Sequence, residues 1–244
     1  MTSEDAAAEA AEDVAARIAR RTLARRGADY AVEIRKLLDA ALAVISAAGT
    51  TGRPRVADIV AAAGLSNDAF YRHFPSKDAL VAALLEDGAE RLTRYVAHQM
   101  GKETDPRARV RRWVAAILAQ AEGQTAAATL AVLWNAAGPG LAPAAGPGMV
   151  DAALAALLRD TLAELGSAAP DSDAALIAHA TIGTLAERLR QRSEPAAGDV
   201  ERITAFCLRA LTRRGRSVLS SRAAFLVVRD RTSFTGTGEV PPSG

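Results

Sequence analysis

The chain has 244 residues, half of them hydrophobic but only 4% aromatic, and its 30 basic and 28 acidic residues leave a net charge of +2. Its alanine- and leucine-rich composition favours helices, and valine and isoleucine do not gather in alternating runs, so we predict an all-α fold. The single cysteine, Cys207, excludes an intrachain disulfide framework, and no apolar run reaches the roughly 20 residues of a membrane-spanning helix. Because the first residues lack the basic start and apolar run of a signal peptide, we expect a cytoplasmic protein.

Charge is distributed unevenly over the first third of the chain. Residues 1–16 contain five acidic and no basic residues, whereas residues 17–77 contain eleven basic residues against five acidic ones. We interpret residues 1–28 as an N-terminal extension, partly helical and partly disordered, that ends in the stretch RRTLARRG. A basic surface of this kind is typical of proteins that bind phosphate groups, and a solvated helical face is the alternative explanation.

The first core helix is predicted from Tyr30 to Ala48, where Gly49 ends it. Its apolar residues share one side and form the stripe that a core helix buries. They are Ile34, Leu37, Leu38, Ala41, Val44 and Ile45.

Two short helical patterns then meet at a glycine. Apolar residues from Val56 to Ala63 have the spacing i, i+3, i+4, i+7 and predict an amphipathic helix of about two turns. Gly64 ends this helix, since glycine adopts the left-handed backbone of a helix end without steric cost. Ser66 is a suitable N-cap for a second helix that begins at Asn67.

The second of these helices has an apolar inner side and a polar outer surface. Phe70 and Phe74, four residues apart, anchor it inward, while polar, aromatic and basic residues remain on the other faces. Pro75 ends the helix and Ser76 caps a third one. Two short helices joined at a glycine corner, the second with such a surface, form the layout of a DNA-reading helix-turn-helix.

These residues resemble the motif of the TetR/AcrR family of bacterial transcriptional regulators. The resemblance covers about fifty residues, from Tyr30 to about Leu80, and beyond them it is one of length and helical layout only. Asp68 stands where the family usually has glycine or proline, and Ala69 where threonine is common. The matching elements are Ile59-Val60, Ala63-Gly64-Leu65-Ser66, Phe70-Tyr71-Arg72-His73-Phe74, and Lys77 with Leu80. The resemblance implies that residues 29–80 form a DNA-binding domain.

The start of the second helix is expected to meet base edges, and its flanks are expected to meet phosphates. Asn67 can pair with adenine and Asp68 with a cytosine amino group, although both residue types also favour free helix starts. By the resemblance, Tyr71 and His73 contact the DNA backbone, with a core or capping role as the alternative for His73. The full predicted DNA-contacting set is Arg55, Ser66, Asn67, Asp68, Ala69, Tyr71, Arg72, His73 and Lys77.

Lys77 is a cation in the first turn of a helix, where it opposes the helix dipole by roughly 0.3–1 kcal/mol. A DNA phosphate at that helix start would be held by the lysine and by the free amides. The alternative is a salt bridge with Asp78 or another acid. Arg55 is expected to follow the same DNA backbone, and Arg53 can assist it.

Residues 81–214 are predicted to form a helical body. A long helix from Ser76 to about Met100 leaves the head and enters the body, so it is the expected mechanical link. The glycine- and proline-rich residues 136–148 are interpreted as a flexible connection, and residues 215–244 as a largely disordered tail. Further helices are expected at residues 107–122, 125–135, 149–165, 171–191 and 199–213.

The family resemblance also implies a homodimer, because the last two helices of such proteins commonly pair with their copies in a second subunit. A two-fold dimer would bind an imperfectly palindromic DNA operator. The apolar spacing in these helices would equally suit an ordinary core. The residues expected in or near the dimer region are Leu176, Ala180, Gly183, Leu185, Ile203, Phe206 and Leu211.

Bodies of this family often enclose a pocket for a small-molecule effector, and an effector releases DNA only by favouring the form that does not bind DNA. The apolar background of this body suggests a hydrophobic ligand with few polar groups. The candidate pocket residues are the polar or aromatic exceptions in the alanine- and leucine-rich body, each of which could instead be a packing or surface residue. They are Trp113, Gln120, Trp134, Asn135, Met149 and His179.

The sequence therefore predicts a DNA-binding transcriptional regulator, first of all a repressor, with an activator as an alternative. A second alternative is a helical interaction protein with a vestigial DNA-binding head, because the charge of Asp68 repels phosphate. An enzyme is not expected: the sequence has no HExxH, CxxC, GxSxG or Walker motif, and its three histidines lie far apart. We expect no cofactor and no metal site.

Overall fold

A computed structural model describes residues 3–136, 147–196 and 198–224 of the chain. All regular structure in these ranges is helical, which confirms the predicted all-α class. No helix of this part is long and apolar enough to cross a lipid bilayer. The α-helices are α1 (Ser3–Ala48), α2 (Val56–Ala63), α3 (Asn67–His73), α4 (Lys77–Met100), α5 (Pro106–Leu118), α6 (Gly123–Ala136), α7 (Pro147–Ala156), α8 (Arg159–Glu164), α9 (Pro170–Gln191) and α10 (Asp199–Ala224), with a 3₁₀ turn at Ala119–Ala121.

Helix α1 runs without a break through the boundary at which the sequence pattern separated an extension from a core helix. Every residue from Arg17 to Val32 is exposed, and this part of α1 projects from the head except at Tyr30, whose ring meets that of His73. Alanine and arginine are strong helix formers, and they account for a helix that has no packing partner there. Leu37, Ala41 and Ile45 follow in the same helix and are fully buried.

The head consists of α2, α3, the second half of α1 and the start of α4. Gly64 ends α2 with φ of 65°, and the hydroxyl of Ser66 accepts a hydrogen bond from the amide of Ala69 at 3.1 Å, which confirms the predicted corner and cap. Phe70 is fully buried and Phe74 nearly so, as their spacing predicted. Their two rings lie 5.9 Å apart and fix α3 against the head core.

The head core also includes a part of the body. Ala131 and Val132 of α6 are buried in the same apolar cluster as Leu37, Ile59 and Phe70. Helix α6 packs against both α1 and α4, so it closes the head core from the body side. The head and the body are thus joined by the passage of α4 from one into the other and also by a shared apolar contact.

The body core is formed around α5, which packs against α4, α8, α9 and α10. Trp113 of α5 is fully buried at its centre. Residues 137–146, most of the predicted flexible connection, lie outside the described part of the chain.

The single helix predicted at residues 149–165 is wrong, because the chain forms α7 and α8 with a break between them. The indole N–H of Trp113 donates to the carbonyl of Leu154 at 3.1 Å. That carbonyl would otherwise accept from the amide of Leu158, which bonds instead to the carbonyl of Ala155 at 2.9 Å. The ladder of i to i+4 hydrogen bonds therefore breaks where the tryptophan inserts.

Helices α9 and α10 follow the predicted order, and α10 extends to Ala224, beyond residue 213, where the sequence pattern ends. Its first residue, Asp199, is fully buried and accepts hydrogen bonds from Arg188 and from the amide of Ala196. Burial raises the pKa of Asp199, but these hydrogen bonds and the charges of Arg188 and Arg202 outweigh it and leave the pKa below its ordinary value. Residues 225–244 of the predicted disordered tail lie outside the described residues.

Candidate nucleic-acid interface

Helix α3 presents four neighbouring exposed side chains, those of Asn67, Asp68, Tyr71 and Arg72. Because Phe70 is buried on the opposite side, α3 cannot rotate without exposing its ring. The exposed face therefore has a fixed orientation, as a helix that enters the major groove requires.

Two members of the predicted DNA-contacting set, Ser66 and Ala69, are engaged or covered within the protein at the start of α3. The hydroxyl of Ser66 caps the helix, so its oxygen is already engaged by a backbone amide. Ala69 is a correction to the predicted set, since it is only 4% exposed and its methyl group is covered by the head. The exposed start of the helix thus consists of Asn67 and Asp68.

Tyr71 combines an exposed side chain with a fixed ring. It is 57% exposed, and its ring meets that of Phe70 edge to face at a centroid distance of 5.1 Å. Its hydroxyl has no hydrogen-bond partner among the residues that the structure describes. This geometry fits a phosphate contact.

The side chain of His73 points into the protein, which agrees with the alternative of a core role for this residue. Its side chain is 4% exposed, its Nε2 lies 2.7 Å from Glu33 Oε2, and its ring meets that of Tyr30 at 5.3 Å. The hydrogen bond to His73 holds the pKa of Glu33 below its ordinary value. Arg72 also approaches Glu33, with 3.6 Å between Nη1 and Oε2. The sequence offered no signal for Glu33, which lies forty residues from His73.

Lys77 occupies the first turn of α4, as predicted, and has partners that the sequence did not reveal. Its ammonium donates to the carbonyl of Pro54 at 3.1 Å and lies 3.5 Å from Asn135 Oδ1. Asn135 is buried and donates from Nδ2 to the carbonyl of Ala131 at 3.0 Å. Lys77 therefore connects the loop before α2, the start of α4 and the end of α6.

Two further exposed arginines precede α2. Arg55 is the N-cap residue of α2, where its amide donates to Asp58 Oδ2 at 2.8 Å while its side chain remains exposed. The guanidinium of Arg53 lies 5.9 Å from the ring centre of Trp134. Exposed arginines of this kind can bind DNA phosphates beside a groove.

Five further arginines lie on the projecting part of α1. Arg26 is four residues before Tyr30, so it shares the face of α1 whose Tyr30 meets His73 of the reading helix. The group extends from there for about 14 Å toward the N-terminus. None of the five pairs with an acid whose side chain the structure describes. They are Arg17, Arg20, Arg21, Arg25 and Arg26.

The body contains a cavity of about 640 Å³ between α1, α4, α6, α7 and α9. A volume of this size is ordinary for pockets that hold small molecules. Its lining combines Leu42, Leu84, Leu85, Gly88, Ala89, Arg91, Leu92, Tyr95, Ala119, Gln120, Thr125, Ala128, Thr129, Val132, Val150 and Leu185.

Of the candidate pocket residues whose side chains the structure describes, Gln120 lines this cavity and Trp113, Trp134, Asn135 and His179 do not. Trp113 lies in the body core, and Asn135 is bonded to Lys77 at the head junction. Trp134 is exposed near Arg53, and His179 is exposed on α9, with its Nε2 3.5 Å from Asp151 Oδ2. The side chain of Met149 lies outside the described part. The sequence missed Arg91 and Tyr95, which look like ordinary surface residues in a charged helix.

The outer faces of α9 and α10 carry exposed apolar residues. Leu176 is 60% exposed and Phe206 is 62% exposed. Ala180 and Gly183 are also exposed, and Ile203 is half-buried. Two of the residues expected near the dimer region, Leu185 and Leu211, are buried in the core of this chain instead.

The described side chains contain no group of three His, Cys, Asp or Glu residues that could hold a metal ion. Cys207 is buried in the body core, where burial raises the pKa of its thiol to about 11.

Comparison with known proteins gives the following matches. Residues 37–84 match the family of bacterial regulatory proteins, tetR family. A solved structure from Mesorhizobium loti MAFF303099, assigned to the TetR family of transcriptional regulators, is 16% identical with a TM-score of 0.55 and covers 75% of this chain and 96% of its own. The fatty acid degradation regulator FadR from Bacillus halodurans is 19% identical with a TM-score of 0.50, and the match covers 72% of this chain and 94% of FadR. A transcriptional regulator from Pseudomonas aeruginosa PAO1 is 24% identical with a TM-score of 0.52, and the match covers 78% of this chain and 92% of that protein.

No curated protein matches this chain. At these identities the likeness to the solved structures shows a shared fold, whereas the match at residues 37–84 concerns the sequence of the head itself. That match confirms the family resemblance which the helix-turn-helix motif indicated.

Proposed function

Because residues 37–84 match the tetR family of bacterial regulatory proteins, we propose that the protein is a homodimeric repressor that a small, mostly apolar ligand releases from a palindromic operator. The observation that carries the proposal is the rigid exposed face of α3. Its polar residues Asn67, Asp68 and Tyr71 are held outward by the buried Phe70. Arg55 and Lys77 add charge at the helix starts on both sides of that face.

Homodimerisation is supported by the outer faces of α9 and α10. Leu176 and Phe206 would bury apolar surface against a second copy, and Ala180 and Gly183 would let the helices approach closely. A two-fold dimer would place two copies of α3 on successive turns of one DNA face. Each protomer would then read one half-site.

Ligand control is supported by the position of the cavity. Leu84, Leu85 and Leu92 of α4 line it, and the N-terminal end of the same helix carries Lys77. Val132 lines the cavity and belongs to the head core as well. A ligand that moved α4 or α6 would therefore act on the head, provided that it bound the DNA-free arrangement more tightly.

The test is fluorescence anisotropy with the DNA upstream of the gene that encodes this chain and with random duplex of equal length, at physiological salt. We expect the upstream DNA to bind at least about a thousandfold more tightly. Equal affinity for the two duplexes would refute sequence-specific regulation at that site. The variant Asn67→Ala should lose most of the preference, whereas Arg107→Ala, on the body surface, serves as the control.

A helical interaction protein with a vestigial head is the second candidate, and the exposed carboxylate of Asp68 is the observation that favours it. In that case neither duplex would bind tightly. Asp68→Asn separates the two functions, since it should improve binding to every duplex if the carboxylate only repels phosphate. It should change the preferred sequence if the carboxylate pairs with a cytosine amino group.

A further inference from the structure

The body cavity has one charged side chain in its wall. The described residues that line it are apolar or uncharged, apart from Arg91, and none of them is an acid. Tyr95, Thr125 and Thr129 provide hydroxyl groups in the same wall. The cavity therefore combines a long apolar surface with a single cation.

Arg91 lies beside a buried carboxylate, Asp87, that has a second cationic partner. Arg35 of α1 donates from Nη2 to Asp87 Oδ1 at 2.8 Å, and this hydrogen bond holds the pKa of Asp87 below its ordinary value. Arg91 Nη2 lies 3.3 Å from Asp87 Oδ2, an atom that makes no hydrogen bond in the described structure. Asp87 is buried, so it needs a partner, and Arg35 already provides one.

Among the described residues, Asp87 is the acid that pairs with Arg91, and the neighbouring Glu90 and Asp39 pair with other arginines. Glu90 pairs with Arg94 at 3.4 Å on the exposed side of α4. Asp39 lies 3.8 Å from Arg35 at the solvent surface of α1. When Arg91 turns toward an anion in the cavity, Asp87 loses the contact at Oδ2 but keeps its hydrogen bond to Arg35 at Oδ1.

We propose that the cavity binds an amphipathic carboxylic acid, with its carboxylate paired to Arg91 and its hydrocarbon part against the leucines of α4 and α9. A planar guanidinium matches a carboxylate with two parallel hydrogen bonds, and the apolar wall removes the hydrocarbon part from water. This inference rests on the proposed function in one respect, because it takes the cavity as the effector site of the regulator.

The test is isothermal titration of the full-length chain with decanoate and with 1-decanol, two probes that share a hydrocarbon chain and differ in charge. We expect decanoate to bind about tenfold more tightly than 1-decanol. Arg91→Gln should abolish that preference and leave the affinity for 1-decanol unchanged, and Arg91→Lys should restore a part of it. Arg94→Gln, one turn away and outside the lining, should behave like the unaltered protein.

Equal binding of the two probes by the unaltered protein would overturn the inference, and so would a preference for decanoate that survives Arg91→Gln. Circular dichroism of Arg91→Gln shows whether the fold is kept, and the retained affinity for 1-decanol gives a second check. DNA binding is measured separately without either probe. Carboxylate binding without operator binding would refute the proposed regulatory function but support the carboxylate site. Operator binding without a carboxylate preference would support the regulatory function but refute the carboxylate site.

Discussion

Single side chains of the head either face solvent or already have a partner inside the protein. Tyr71, Asn67 and Asp68 belong to the first kind and are free to meet DNA. His73 and Ser66 belong to the second, because one is bound to Glu33 and the other caps α3. Under the proposed function, a residue with an internal partner would act by holding its exposed neighbours in place.

Tyr71→Phe removes one exposed hydroxyl and leaves the ring against Phe70. We expect operator affinity to fall about fivefold, which corresponds to one lost hydrogen bond of about 1 kcal/mol, at unchanged thermal stability. Fluorescence anisotropy and a thermal melt measure the two quantities. An unchanged affinity would show that the hydroxyl does not meet the DNA.

Lys77→Ala removes an ammonium that lies at a helix start and also bonds Pro54 and Asn135. We expect weaker binding to operator and random duplex alike, with the slope of log affinity against log salt shallower by about one unit. The loss of the internal bonds should also lower stability by about 1 kcal/mol.

Asn135→Ala is the matched control, since it removes one partner of Lys77 and keeps the ammonium. It should lower stability and leave the salt slope unchanged. A normal salt slope for Lys77→Ala would mean that the lysine acts only as an internal connection.

Among whole elements, α1 has two halves with different surroundings. Its second half is buried in the head core, whereas its first half projects into solvent with a row of arginines. The contact between Tyr30 and His73 places Arg26, one turn before Tyr30 on the same face, near the end of α3. Arg17, Arg21 and Arg25 lie on the opposite face of α1. We therefore expect the projecting half of α1 to lie along DNA that flanks the half-site.

Replacing Arg17, Arg20, Arg21, Arg25 and Arg26 by glutamine keeps the helix and removes its charge. The salt slope should fall by about 0.9 for each arginine that meets a phosphate, and operator preference should stay unchanged. The control replaces Arg107 and Arg159, two exposed arginines of the body. An unaltered salt slope in the variant with all five substitutions would identify these arginines as part of a solvated helical face.

The contact between α1 and α4 depends on the charge of Asp87. Its pKa lies below the ordinary value of 3.8, chiefly because Arg35 donates a hydrogen bond to it. A lowered pKa stabilises the folded state fully above the ordinary pKa, and this contribution is lost as the pH falls through the folded pKa.

Asp87→Asn should therefore lower the free energy of unfolding by about 1–2 kcal/mol at pH 6. This value is smaller than that of a fully buried ion pair, because the side chain of Arg35 is half-exposed. The difference from the unaltered protein should shrink below pH 3.8. Urea unfolding at pH 6 and pH 3 measures it, with Glu90→Gln as the control on the same helix. A difference that is equal at both pH values would contradict the role of the carboxylate charge.

For the molecule as a whole, the two apolar cores meet through α6, and the outer faces of α9 and α10 remain uncovered. Trp134 and Asn135 stand at this junction, near Arg53 and Lys77 of the head. Under the proposed function, a movement of α6 would be passed to the head through these contacts.

Phe206→Glu places a charge on the exposed face of α10 without disturbing the core of one chain. If that face joins two copies, the variant should be monomeric in light scattering and should lose operator affinity by at least about a hundredfold. Leu133→Glu is the control, since Leu133 is an exposed apolar residue on α6. A Phe206→Glu variant that remains dimeric would place the dimer contact elsewhere.

Local patterns in the sequence were sufficient for the helix-turn-helix and for most helix boundaries. Gly64, Ser66, Phe70 and Pro75 act on their immediate neighbours, so their effects on α2 and α3 could be predicted from spacing alone. The exposed face of α3 followed from the same spacing, because the inward positions of a helix define its outward ones.

The positions of the body residues could not be predicted in this way. The break between α7 and α8 depends on Trp113, which lies 41 residues before the carbonyl of Leu154 that it binds. The cavity wall combines five helices and the 3₁₀ turn, so Gln120 and Arg91 come to line one cavity only when these elements pack.

The sequence by itself determined the helical class, the corner at Gly64 and the face that α3 presents, since each depends on residues within a few turns of one another. Only the tertiary structure decided that His73 faces Glu33, that Lys77 meets Asn135 and that Arg91 lies at a cavity. These contacts join residues far apart in the chain, and hydrogen bonds and burial between distant segments form only when whole helices pack together.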